Sequence, residues 1–377
     1  MRFFDYNATT PTLPEARAAW SAANDALWLN PSSPYRAAAA VHTRMEVARE
    51  SLAAKFGVAA QRIIFNSGAT EGNNAVFAHW ANTLGETARV GVSPTEHPSV
   101  IQAARHYFGD RVVWLPLDGA GTVDPAGIDF AQLSAVSVMA ANNETGLINP
   151  WPELAERCQG VGIPFHCDAS QWIGKMPLDG LEACDFVTAC AHKCGGPKGV
   201  GLLIAPEGSG HGLLGGAQEG GRRAGTEDVA GVLAMLAALE SVEAQRASCT
   251  DRGREAFWQK LSQAMPRVIR MNEKGPALWN TLSIAMPDFA SARWIRALEK
   301  RGFLVSAGSA CSTGKAGPSH VLAAMGIGST EAAHALRISS GWGTTEADWD
   351  ALFEALVASY EALQSEASDS NSQVISI

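Results

Sequence analysis

Arg62-Ile-Ile-Phe-Asn-Ser-Gly-Ala-Thr-Glu-Gly-Asn73 passes from a short apolar run into small and polar residues, and the pattern after Asn74 is helical. A run of this length bounded by Ser-Gly reads as a buried strand leading directly into a helix. Six similar runs follow: Arg89–Val92, Val112–Leu115, Ala135–Met139, Ile163–His166, Asp185–Thr188 and Val200–Ile204, most separated by helical stretches. Such alternation predicts an α/β fold, with a mainly parallel seven-stranded sheet covered by helices on both faces.

The ends of these runs are chemically rich. Ser67-Gly-Ala-Thr-Glu71 follows the first, Thr95-Glu-His97 the second and Asn142-Asn-Glu-Thr-Gly146 the fourth. Asp168-Ala-Ser-Gln171 and Cys190-Ala-His-Lys193 follow the next two. In open α/β sheets ligands bind at the carboxyl ends of strands, so these segments predict one shared site.

The whole chain has 377 residues, 46% hydrophobic and 18% charged, with a net charge of −9. That length suits two domains, and the charge argues against nucleic acid or an anionic membrane as a partner. No apolar run approaches the roughly 18 to 20 residues of a membrane span. The start, Met1-Arg-Phe-Phe-Asp-Tyr, lacks a signal-peptide pattern, and the seven cysteines lack a disulfide-framework spacing. A cytoplasmic protein with reduced thiols is expected. The texture changes near residue 247. We expect a large domain over 13–246 and a smaller α/β domain from 1–12 and 247–377, ending in a disordered tail around Glu366–Ser372.

Individual residues suggest chemistry, each beside an ordinary alternative. Ala69 and Thr70 open a helix whose free N–H groups suit a phosphate monoester, but the same residues make an ordinary helix cap. Asp168 ends an apolar strand and needs a partner; a protonated ring nitrogen or a helix N-terminus would serve. His97 could stack on a ring or move protons, and Asn143 and Gln171 could hydrogen-bond it; turn chemistry explains all three as well. Lys193 ends a buried run, where desolvation favours the neutral, imine-forming amine. Arg337, inside Ala335-Leu-Arg-Ile-Ser339, needs a carboxylate from the protein or from a substrate. The glycine-rich Gly215–Thr226 segment could approach an anion or be a surface hairpin. Cys184, Cys190, Cys194 and His192 lack metal-ligand spacing, so no metal is expected. Cys311 lies in Ser306-Ala-Gly-Ser-Ala-Cys-Ser-Thr-Gly-Lys315, which has almost nothing to pack and reads as a mobile loop able to carry sulfur.

With Asp5-Tyr-Asn-Ala-Thr-Thr-Pro11, Asn30-Pro-Ser-Ser33, Gly225-Thr226, Ser309-Ala-Cys311 and Pro318-Ser319 in order among these motifs, the chain resembles the cysteine desulfurases. These are pyridoxal-phosphate enzymes of fold type I, related to the class V aminotransferases. The resemblance implies that Lys193 holds the cofactor as a Schiff base, Asp168 pairs with its pyridinium nitrogen and His97 stacks on its ring. It implies that Ala69, Thr70, His192 and a partner subunit's Thr226 hold the phosphate, in a homodimer. Asn143 and Gln171 would meet the ring-oxygen side, Arg337 the carboxylate of L-cysteine, and Cys311 would take the sulfur as a persulfide. The sulfur would then pass to an acceptor protein, for iron–sulfur cluster or thio-cofactor and tRNA biosynthesis. Three departures stand out: Cys190 where the family has a phosphate-binding Ser, Arg36 near a usual His, and Gly341-Trp-Gly343 in place of Gly-Arg. Selenocysteine lysis, C–S lysis and a non-catalytic sulfur-relay scaffold are the alternative activities.

Overall fold

In the computed structural model, residues 1–209, 213–308 and 319–374 are described. In chain order the strands are β1 (Arg2–Phe3), β2 (Ile63–Asn66), β3 (Val90–Val92), β4 (Val112–Trp114), β5 (Ala135–Ser137), β6 (Phe165–Asp168) and β7 (Phe186–Cys190). They continue with β8 (Gly201–Ile204), β9 (Ile269–Arg270), β10 (Thr281–Ala285), β11 (Phe303–Leu304), β12 (Ser306–Ala307) and β13 (Ala335–Ser339). The chain divides into two compact units, one of Thr9–Asn142 and Ile148–Ala247, the other of Met1–Ala8, Asn143–Leu147 and Ser248–Ile377.

The larger unit is built on a seven-stranded sheet in the order β2-β8-β7-β6-β5-β3-β4. Only β8 runs against the others, because it pairs antiparallel with both β2 and β7 while the remaining ladders are parallel. The carboxyl ends of β2, β3, β5, β6 and β7 therefore share one edge. Both faces of the sheet are covered, which is why β2, β3, β5, β6, β7 and β8 are buried at every position and read as continuous apolar runs. The helix Ala69–Thr83 packs Phe77 and Trp80 into a core with Phe108 and Phe186. Each such fully buried ring contributes about 2 to 3 kcal/mol. Gly72 lets this helix approach β7 closely, for a Cβ there would lie 2.8 Å from Thr188 Cγ2.

The smaller unit has an antiparallel sheet, β12-β13-β10-β9, and a parallel pair, β1 with β11. Its core gathers Phe4, Phe257, Trp294, Trp349, Leu352 and Leu356. The helix Ser291–Lys300 buries Trp294, Ala297 and Leu298, the i, i+3, i+4 stripe of an amphipathic helix.

Two details differ from the sequence expectation. Residues 9–12 and 143–147 change sides relative to the domain boundaries read from the sequence. Thr10 N and Oγ1 both donate to the His192 carbonyl, at 2.8 and 3.0 Å, which ties this segment to the larger unit. Leu147 bridges to Ala277, and Asn272 Nδ2 donates to the Thr145 carbonyl at 2.7 Å, which ties 143–147 to the smaller one. The region read as a disordered tail is instead helical: the last helix runs Glu346–Val374. Ala367 packs on the core and Glu366 meets Arg293 at 3.3 Å, contacts that composition does not reveal.

Candidate active site

On the larger unit, the turn after β2 leads into the helix Ala69–Thr83 through Gly68, whose φ of +139° suits glycine alone. Among the described residues no side chain caps this helix. Glu71 reaches back to the Ser67 N–H at 2.9 Å and pairs with Arg223 at 2.9 Å, so only half of a capping box is present. Burial works against the Glu71 charge, but the Arg223 and Ser67 hydrogen bonds prevail and hold its carboxyl below the usual range. The helix start is thus stiffened without its amides being answered, which leaves an anion cup. The Cys190 side chain borders it, since a Cβ on Gly68 would lie 4.0 Å from Cys190 Cβ. Burial raises the Cys190 thiol, more than the nearby Lys193 charge lowers it, so the group here is a neutral thiol.

Asp168 closes β6 and is 4% exposed. Its Oδ2 accepts from Asn73 Nδ2 at 2.9 Å, and its Oδ1 accepts from Ser170 N at 2.9 Å and Ser170 Oγ at 2.5 Å. Burial pushes its pKa up, yet the Ser170 and Asn73 hydrogen bonds more than offset this, and the carboxylate sits below its ordinary range. Among the described residues no lysine or arginine forms an ion pair with it. Nearby Glu96 is driven the other way: burial and the Asp168 charge raise its carboxyl well above the usual value. Two buried acids thus hold one charge, and it rests on Asp168.

His97 caps the helix Pro98–Phe108, its Nδ1 accepting from Ser99 N at 3.2 Å and lying 2.8 Å from Ser99 Oγ. Gln171 is buried, and its Oε1 accepts from Lys175 Nζ at 2.5 Å. The lysine can only donate, so the amide presents its NH2 on the other side. Lys193 ends the single turn Ala191–Lys193 that follows β7. His192 Nδ1 lies 3.1 Å from Thr9 Oγ1; burial, then the Lys193 and Lys198 charges, lower its pKa to about 4 and keep it neutral. Thr70 and Thr226 are exposed, and Ala69 is half-buried.

The remaining sequence candidates belong to the smaller unit. Arg337 on β13 is 1% exposed. Its Nη2 donates to Asp5 Oδ1 at 2.5 Å and its Nη1 to the Asn143 carbonyl at 2.9 Å, while its buried Nε finds no partner among the described residues. Of the two carboxylate sources left open by the sequence, the one present here is the protein's own Asp5. Asn143 also groups with this unit, where its carbonyl rather than its side chain makes these bonds. Glu144 accepts from Ser319 Oγ at 2.5 Å, and a Cβ on Gly308 would lie 3.3 Å from its Oε2. Burial raises its pKa to about 7, despite the Ser319 bond and the Arg337 charge. Gly308 and Ser319 are the described residues flanking the segment that holds Cys311, which itself lies outside the described residues.

Sequence reading missed Asn73, Ser99, Ser170, Thr188, Glu96 and Lys175. Ser170, two residues after Asp168, is the one with a local signal, since an aspartate commonly accepts from the backbone two positions on. Asn73 bonds a residue 95 positions away.

The chain matches the family described as Aminotransferase class-V over residues 2–352. It is 35% identical over 379 residues to the cysteine desulfurase of Sinorhizobium fredii, covering 96% of this chain and 97% of that protein. Among solved structures, a NifS-like protein is 30% identical with a TM-score of 0.85, over 94% of this chain and 98% of its own. The structure titled SspA in complex with cysteine is 26% identical with a TM-score of 0.77, over 90% of this chain and 98% of its own. Enzymes of this family depend on pyridoxal phosphate. A mainly parallel sheet whose carboxyl edge gathers an anion cup, a buried anion and a lysine, in a chain matched over almost its whole length by these proteins, places the chain in the class-V aminotransferase family, among its cysteine desulfurases.

Proposed function

We propose that the chain converts L-cysteine to L-alanine, leaves the sulfur on Cys311 as a persulfide, and passes it to a sulfur-acceptor protein. The observation that carries this reading is Asp168, a buried carboxylate held ionised by the Ser170 and Asn73 donors, with no lysine or arginine ion-paired to it among the described residues. A ring nitrogen that must stay protonated suits that position, and the uncapped helix at Gly68–Thr70 suits a phosphate. Pyridoxal phosphate therefore fits the residues present. Asp168, His97 and Gln171 would hold its ring, Ala69, Thr70, His192 and Cys190 its phosphate, and Lys193 its aldehyde carbon. When bound, the cofactor supplies an electron sink that makes the substrate's α-proton removable.

The residues of the chain supply the rest. The Lys193 amine takes the α-proton. Arg337, its plane fixed by Asp5 and the Asn143 carbonyl, supplies positive charge for the substrate carboxylate. The Cys311 thiolate attacks the substrate sulfur: the carbon–sulfur bond breaks, a sulfur–sulfur bond forms, and the former thiol-bearing carbon gains a proton to become a methyl group. Carbon is reduced and sulfur oxidised within one balanced exchange, with no external oxidant.

The enzyme is proposed to act as a cytoplasmic homodimer. Trp28 at 75% and Leu214 at 89% exposure are apolar surface of the larger unit that a second copy would be expected to cover. Sedimentation equilibrium at micromolar concentration should return twice the chain mass. The decisive assay is incubation with L-cysteine and a thiol reductant. Alanine and sulfide in equal yield are expected, and pyruvate with ammonia would point to a lyase. Cys311→Ala should end sulfide release while the protein keeps its yellow colour; unchanged turnover would remove Cys311 as the nucleophile.

A further inference from the structure

Behind the ring site of the larger unit lies a line of polar side chains that the proposed chemistry does not use. His166, fully buried on β6, has Nδ1 2.8 Å from Ser137 Oγ and Nε2 3.2 Å from Thr188 Oγ1. Thr188 Oγ1 lies 2.6 Å from Asn73 Oδ1. Asn73 Nδ2 reaches both Asp168 Oδ2 at 2.9 Å and Ser99 Oγ at 2.8 Å, and Ser99 Oγ lies 2.8 Å from His97 Nδ1.

The donor inventory orders this line. An ionised carboxylate only accepts, so the amide must turn its NH2 towards Asp168 and its carbonyl towards Thr188. Thr188 then spends its single proton on Asn73 and can only accept from His166. That puts the His166 proton on Nε2 and makes Ser137 the donor to Nδ1. On the other side, Ser99 accepts from Asn73 and gives its own proton to His97 Nδ1, which the Ser99 backbone N–H also approaches. The His97 proton is left on Nε2.

We propose that Asn73 is the positioning residue of this site: one amide orients Asp168 and His97 together, and the Ser137–His166–Thr188 line behind it fixes which way the amide faces. Close packing holds the amide in place, since a Cβ on its neighbour Gly72 would meet Thr188 Cγ2 at 2.8 Å and Asn66 Nδ2 at 3.2 Å. The burial of His166, which lowers its pKa to about 4 and keeps the ring neutral, is consistent with its one-proton role.

The inference rests on the proposed cofactor reading only for its consequence, and the two fail separately. Nitrogen-15 NMR of histidine-labelled holoenzyme, with His97→Gln and His166→Gln to assign the signals, reads the tautomers directly. Both rings are expected as neutral Nε2–H forms in the wild type; an Nδ1–H form of either would overturn the proposal. Asn73→Ala frees the Thr188 proton, so His166 should lose its single tautomer, and cofactor affinity measured by equilibrium dialysis should fall roughly ten- to a hundred-fold with loss of the charge-assisted bond. If that variant does not fold, the near-isosteric Thr188→Val removes the acceptor for His166 Nε2 and should shift its proton to Nδ1. An unmoved His166 tautomer in the variants that fold would refute the relay. A wild-type protein that binds no cofactor yet shows both Nε2–H tautomers would sink the cofactor reading and leave the relay standing.

Discussion

Replacing Glu144 by Gln should make the protein more stable as the pH rises, by an amount that the structure sets. The Glu144 carboxyl is buried, has one hydroxyl donor in Ser319 and titrates near 7 rather than 4.5. Its protonated form is therefore favoured in the folded state. Below pH 4.5 the acid is neutral whether folded or unfolded and adds no penalty. Between 4.5 and about 7 the unfolded chain ionises while the folded one resists, and stability falls. Above 7 the full penalty is present. At 1.36 kcal/mol per pH unit, the gap from 4.5 to about 7 corresponds to roughly 3 kcal/mol. Glu144→Gln keeps an acceptor for Ser319 and removes the titration. Urea denaturation of both proteins at pH 4.5, 6 and 8 should show near-equal stability at the lowest pH and a gain of up to about 3 kcal/mol for the variant at the highest. Carbon-13 NMR of the side-chain carboxyl should place its midpoint near 7 in the wild type. A difference between the two proteins that stays flat with pH would refute the argument.

Other outcomes follow from packing and charge. Cys190→Ser should tighten cofactor binding about two- to tenfold by equilibrium dialysis, because a hydroxyl replaces a weak thiol donor beside the anion cup. Gly201→Ala places a Cβ 2.4 Å from the Ala189 carbonyl and 2.6 Å from Gly68 Cα, both backbone atoms, so the cup must shift. Calorimetry should show a loss of at least about 1 to 3 kcal/mol, with weaker cofactor retention. Arg49 donates to both Glu219 oxygens at 2.7 Å in a buried pair, and Glu219 Oε2 also accepts from Phe65 N at 2.9 Å. Arg49→Met should cost about 3 to 5 kcal/mol by leaving that carboxylate uncompensated, whereas Arg49→Met with Glu219→Gln should recover much of it.

The larger sheet was legible because burial on both faces writes itself as uninterrupted apolar runs. All seven runs from Arg62 to Ile204 became strands, their ends shifted by no more than two residues. Asp168, His97 and Lys193 stood out because strand ends are where polar residues need an explanation. Asn73, Thr188 and His166 did not, because their roles arise from cross-chain hydrogen bonds that no local spacing encodes. Asn73 looks like any polar residue in a first helical turn until the fold sets Asp168 beside it. The grouping of 143–147 was equally hidden, for it depends on Leu147 meeting Ala277 and Thr145 meeting Asn272. The Ser- and Asn-rich end misled through composition, since its helix extends one that begins at Glu346.

The pairing of β1 with β11 carries a consequence for biosynthesis. Arg2 and Phe3 lie opposite Phe303 and Leu304, and Ser339 N donates to the Phe4 carbonyl at 2.8 Å. A ribosome adding about 5 to 20 residues per second needs some 15 to 60 seconds to reach those partners. Throughout that interval Phe3 and Phe4 must wait for their partners, an apolar stretch within reach of chaperones while the segments up to Ala247 settle behind it. A transposition that moves residues 1–8 behind the final helix would abolish the delay, and co-translational holdase capture should fall with it.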